Sequence, residues 1–159
     1  MELNYLAFFL ISFIPLAIGY LWYNPKSIIL KKLSQPTVAK SYSVKSIIIL
    51  FILSVAIVYG YMNLTIHQLG FYDLFFTDIM LGKIESQIIV DDFLATYGEK
   101  HRHFGHGILH GFINAFLFAA PILGGITIIE NKDRNYFMYH FLYWLLVSIV
   151  IGGCISSFV

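Results

Sequence analysis

Charge is scarce in this chain: 12% of its residues are Asp, Glu, Lys or Arg, and 58% are apolar. Soluble domains carry about 25% charged and about 45–50% apolar residues, so this scarcity excludes an ordinary soluble globule. It points to an integral membrane protein. The formal net charge is only +1, which leaves no bulk field to hold nucleic acid. Cysteine is almost missing too. Cys154 stands alone, so no internal disulfide can form and no Cys-x-x-Cys metal spacing exists. It lies within the last apolar run and reads as a small packing residue. There is no Gly-x-Ser-x-Gly elbow, no phosphate-binding loop and no His-Glu-x-x-His, which removes the common hydrolase, nucleotide and zinc-protease signatures. Asp91 and Asp92 are adjacent, so their side chains diverge on a helix and do not form a cooperating acid pair. The start MELNYLAFFLISFIPLAIGYLWYNP lacks a basic leader and a small-residue cleavage site, and is expected to be a retained transmembrane helix.

What the chain does have is long apolar runs. A helix needs about 20 such residues to cross the hydrocarbon core. Four segments qualify: Leu3 to Tyr23 with Pro15 inside, about Val44 to Leu64, about Phe104 to Ile129 with Pro121, Gly124 and Gly125, and about Tyr136 to Val159. Pro121 is expected to kink the third. Aromatic residues border the spans, among them Tyr20, Trp22, Tyr23, Tyr59, Tyr61, Tyr136 and Tyr139, where amphipathic rings favour the headgroup zone. The expected fold is all-α: one membrane domain over residues 1–159, with four transmembrane helices in an antiparallel bundle.

Loop charges set an expected orientation. The first loop holds Lys26, Lys31, Lys32 and Lys40, with Lys45 at its edge and no acid, and the third loop holds Lys132 and Arg134. The middle loop has Lys83, Lys100 and Arg102, against Asp73, Asp78, Glu85, Asp91, Asp92 and Glu99. By the positive-inside rule the first and third loops face the cytoplasm. Both termini and the acidic middle loop then face outward from a bacterial inner membrane.

The loops carry expected structure of their own. Asn24 can cap a helix that begins at Pro25. PKSIILKKL would then lie on the inner membrane surface, with its lysines toward anionic headgroups. The middle loop is long for an unstructured connection. GFYDLFFTDIMLGK is amphipathic and would form a helix on the outer surface or a flap over the bundle mouth, and SQIIVDDFLATYG reads as a second helix ended by Gly98.

GYLWYNP after the first span, HGILHG opening the third, AAPILGG within it, the ENKDRN turn and FLYWLLVSIVIGG together resemble a family of small bacterial four-helix membrane proteins catalogued as a domain of unknown function. Its Gly-x-x-Trp-Tyr-x-Pro turn corresponds here to Gly19, Trp22, Tyr23 and Pro25. The resemblance implies fold and membrane location, and no activity. His101 and His103 depart from the pattern of that family.

Four of the six histidines lie in HRHFGHGILHG, residues 101 to 111. On a helix from about residue 102, His103, His106, His110 and Asn114 fall at about 0°, −60°, −20° and +20°, one stripe about 16 Å long. His101 stands apart from it. Imidazole at i and i+4, as in His106 and His110, can share a transition metal such as zinc. The third ligand would be His103 or His67, with Asp91, Asp92 and Glu99 as acids within reach. His110 and Asn114 also form a polar membrane stripe that could relay protons. The competing interpretation is that these side chains only hydrogen-bond across helices, at about 0.6 kcal/mol each. His140 begins the fourth span at the inner side and reads as an interfacial residue. Gly107 and Gly111, and the pairs Gly124–Gly125 and Gly152–Gly153, are expected to allow close helix contact. The sequence therefore points to a non-enzymatic inner-membrane protein embedded in lipid, with a homo-oligomer formed through glycine faces. The alternatives are a metal-binding membrane enzyme and a small proton- or ion-coupled transporter.

Overall fold

The computed structural model describes residues 3–24, 26 and 42–159. Among them all regular structure is helical. The helices are α1 (Tyr5–Ile11), α2 (Ile14–Trp22), α3 (Val44–Thr65), α4 (His67–Met80), α5 (Ile84–Tyr97), α6 (Phe104–Asn114), α7 (Ala120–Ile129) and α8 (Arg134–Phe158). A π-helical turn, Ala115–Ala119, joins α6 to α7. Four units are long and apolar enough to cross a bilayer: Tyr5–Trp22, Val44–Thr65, Phe104–Ile129 and Arg134–Phe158. The chain is thus an all-α, multi-pass membrane protein. The expected surface helix from Pro25 lies outside the described residues.

Helix α8 is the hub. Of its apolar window 50% is buried inside the protein, against 17%, 17% and 11% for the other spans. Val147, Ile151 and Ile155 are fully enclosed, and Val58, Ile66 and Tyr139 pack in the same core. Ile113, Phe116, Leu117, Phe118 and Ile122 stay exposed on the third span, an apolar belt that suits lipid and not water.

Apolar burial does not drive helices together in lipid, so packing contacts and polar bonds must. The α6–α8 contact is the most extensive in the protein. Its seam is glycine on glycine. A Cβ at Gly107 would collide with the Gly152 carbonyl oxygen, and one at Gly152 with the Gly107 carbonyl oxygen. One at Gly111 would stand 2.5 Å from the Ser148 oxygen, and one at Gly153 would stand 2.6 Å from the Phe104 ring. The pairings Gly107–Gly152 and Gly111–Ser148 run in opposite chain directions, so the helices are antiparallel. The pair Gly124–Gly125 differs from expectation: the nearest atom to a Cβ at Gly124 is the Phe137 ring at 3.9 Å, and Gly125 faces open space. These two glycines lie on α7, past the π turn, where the chain has left the tight seam.

Both prolines within spans reshape them. Pro15 lacks the N–H that would bond the Ile11 carbonyl, and the first span divides into α1 and α2 at Ser12–Phe13. Neighbouring helices satisfy backbone carbonyls there: Ser54 Oγ donates to Ser12 O, and Tyr143 Oη donates to Pro15 O. Pro121 cannot donate to Leu117, and the turn before it widens so that the Ala120 N–H reaches Ala115 O. The expected kink takes the form of a π turn.

The middle loop folds into the α4–α5 pair, with Phe71 stacked on Phe93 at 3.7 Å between ring centroids. Gly82 at φ 77 and the Lys83–Asp78 ion pair at 2.8 Å close the turn between them. Lys83 holds the Asp78 carboxyl below the usual carboxylate range. The Asn4 N–H donates to Val159 O at 3.0 Å, so the first and last spans meet at the end of the bundle that carries α4 and α5.

Gly107→Ala is expected to destabilise the bundle by about 2 kcal/mol or more, because the new methyl forces two backbones apart. Gly60→Ala, in open space on α3, should be neutral or stabilising by up to about 1 kcal/mol. Reversible unfolding in mixed micelles compares the two.

Candidate metal centre

The site is built where α3 ends. Ile66 leaves the helix with φ −94 and ψ 90, and is itself 1% exposed. That single extended residue turns the chain, so α4 begins at His67. Beside it the α6–α8 seam fixes the third span. Gly107 and Gly111 face α8, which leaves their neighbours His106 and His110 on the flank beside α3 and α4. The His67 ring meets those of His106 and His110 at centroid distances of 5.3 and 4.9 Å, and His106 meets His110 at 4.6 Å. One nitrogen from each of His67, His106 and His110 lies within 4.8 Å of the others.

Zinc bonds imidazole nitrogen at about 2.0–2.1 Å, which puts ligand atoms of a tetrahedral site about 3.3 Å apart. Side-chain rotation would have to close the gap from 4.8 Å. His106 Nε2 is buried and has no hydrogen-bond partner. A buried, unmet ring nitrogen is unfavourable, and coordination would satisfy it. The ligand group contains no carboxylate. Three neutral imidazoles leave a divalent ion its full charge and leave a fourth position for water or an anion.

His103 stands elsewhere. With φ −149 and ψ 156 it precedes α6, and its Nδ1 accepts from the His106 N–H at 3.2 Å as the helix N-cap. Its ring centroid is 6.0 Å from that of His106. His101, set apart by helical geometry, comes back: its ring stacks on His106 at 4.8 Å. It does so because its backbone is left-handed, φ 67, a strained state for a side chain with a Cβ. Ser156 Oγ on α8 donates to His101 O at 3.0 Å and holds it there. Gln68 also supports this segment. It is 5% exposed, and its Nε2 donates to Tyr97 O, Gly98 O and Lys100 O at 2.9, 3.1 and 2.8 Å. Gly98 ends α5, as expected, in a right-handed conformation, and the left-handed residue of this connection is His101. Sequence reasoning passed over Gln68 and Ser156. Their signal is faint: one polar residue each on an otherwise apolar face.

The acids sit outside the ligand group. Asp91 accepts from Gln87 at 2.9 Å and, with Gln87, Tyr72 and Leu3, lines a cleft of about 570 Å³ between α4, α5 and the start of the chain. Asp92 and Glu99 are exposed. His140 lies on the opposite end of α8, where its Nδ1 shares a hydrogen bond with Tyr23 Oη at 2.9 Å. Asn114 is 5% exposed and its Nδ2 has no partner. No protein-family model, no curated protein and no solved structure matches this chain.

Removing the cap should be separable from removing the site. His103→Ala is expected to lower stability by about 1 kcal/mol, and His103→Ser should restore it, since a hydroxyl caps equally well. Thermal unfolding of the two variants checks this.

Proposed function

We propose that this membrane protein holds a transition metal of the zinc class at one end of its bundle, through His67, His106 and His110. The observation that carries the reading is the convergence of two imidazoles from the third span and one from the start of α4 around a buried nitrogen that lacks a partner. Metal there would bind the start of α4 to α6 and lock the outer helix pair to the bundle, a binding role that needs no turnover. The loop charges support placing this end outside a bacterial inner membrane, with both termini on the same side. The Gly19, Trp22, Tyr23 and Pro25 turn supports the likeness to the small four-helix family. A homo-oligomer would have to use faces other than the α6–α8 seam, whose glycines are already occupied within one chain.

The second reading is a metal-dependent membrane enzyme, and the number of ligands favours it. Three protein ligands with one position open is the pattern of catalytic zinc, while structural zinc is closed by four. Cobalt in place of zinc distinguishes the two. A d–d spectrum that shifts on adding azide marks an exchangeable fourth ligand, and an unresponsive spectrum marks a closed site.

Purified protein should carry close to one zinc per chain by elemental analysis. The double variant His106→Ala with His110→Ala should carry none, and His103→Ala should keep it. Failure of the wild-type protein to retain metal above background would sink the proposal. Binding should also follow pH with a definite sign. Imidazole ligates only when neutral, so affinity falls as acid protonates the rings. Zinc release measured from pH 8 to about pH 5 checks this.

A further inference from the structure

Below the imidazole cluster the apolar core contains several polar groups, none of them charged. Thr65 lies two residues before His67, is 3% exposed, and its Oγ1 has no partner. One turn further from the cluster, Tyr61 Oη donates to Ser148 Oγ, and Ser148 is 1% exposed. Ser148 is the α8 residue against which Gly111 packs. Asn114, on the same face of α6 as Gly111, ends the series with its unpartnered Nδ2. From His106 to Asn114 the rise is about 12 Å, well into a core about 30 Å thick. In lipid an unmet hydroxyl or amide is disfavoured, and such groups persist where they face protein partners or water.

We infer that a file of water molecules runs from His106 along Thr65, Tyr61 and Ser148 to Asn114. The chemistry of the lining selects the occupant. Hydroxyls and an amide offer donors and acceptors that water can match in pairs. They offer neither a negative charge nor an imidazole nitrogen, and a metal cation stripped of its shell in a low-dielectric interior needs ligands of that strength. Among the described residues no Asp or Glu lies within the third span or within Val44–Thr65. The path therefore holds water, and the imidazole cluster is an end station for metal and not the entrance of a metal route. The water file stands on Thr65, Tyr61, Ser148 and Asn114 alone. Its service to a metal at His106 rests on the metal-binding proposal.

Solid-state NMR on the full chain in liposomes tests it without added metal. With asparagine and isoleucine labelled in ¹⁵N, magnetisation passes from water to nearby amides. The Asn114 side-chain signal, assigned by its absence in Asn114→Leu, should build up as fast as that of Asn131 in the exposed turn. Build-up as slow as the backbone amide of lipid-facing Ile113 overturns the water file. A second arm encloses a zinc-responsive dye in the same vesicles and adds zinc outside. No dye response above that of empty vesicles is expected. A zinc influx abolished by Asn114→Leu overturns the assignment of the path to water. Because the first arm contains no metal, its failure is separate from any failure of zinc to bind.

Discussion

The contact of α6 with α8, backbone against backbone, is the constraint on which the site depends. Within a bilayer a helix gains little by hiding leucines from lipid, since lipid is as apolar as they are. What holds these two helices is close approach over the small residues Gly107, Gly111, Ser148 and Gly152. That approach fixes the rotation of α6 about its own axis. With the glycines turned to α8, His106 and His110 are set on the flank beside α3 and α4, and Asn114 is carried inward. Any side chain larger than hydrogen at Gly107 would turn or lift α6 and scatter the imidazoles.

Much of this architecture was legible in the chain. Composition and run length mark the four spans, amphipathic patterning marks α4, and Gly98 marks the end of α5. The i, i+4 pair His106–His110 and the candidate His67 are readable because helix periodicity and loop order bring them to one end. The details that were not legible share a cause: each depends on where a helix starts or breaks. Extending the third span back to about residue 102 puts His103 in the stripe, but α6 begins at Phe104 and His103 caps it. A left-handed residue sends His101 back over His106, and backbone handedness at a single non-glycine position leaves no periodic trace. The division of the first span at Ser12–Phe13 is signalled by Pro15. The partners that make the break tolerable, Ser54 and Tyr143, come from other helices and are visible only in three dimensions. Gly124 and Gly125 look like the other small pairs in sequence and differ only in what faces them.

The two ends of the bundle have different characters. At one end Trp22, Tyr23, Tyr139 and Tyr143 pack ring on ring, with Tyr23 bonded to His140. The three tyrosine hydroxyls are satisfied by His140 and by the carbonyls of Trp22 and Pro15, while Trp22 Nε1 has no partner, in a cluster of rings that suits a headgroup layer. At the other end polar atoms are left unmet: His106 Nε2, Thr65 Oγ1 and Asn114 Nδ2. Unmet buried groups are unfavourable by about 1–3 kcal/mol each, which is the physical ground for the proposed metal and water. The ring nitrogens suit a borderline metal, and the neutral hydroxyls and amide suit water.

X-ray absorption at the zinc edge, on protein loaded with one equivalent of zinc in liposomes, tests the central claim most directly. The account predicts three imidazole nitrogens at about 2.0–2.1 Å plus one oxygen, with one imidazole lost in His67→Ala. Oxygen-dominated scattering without imidazole features, or a spectrum indifferent to His67→Ala, would contradict it.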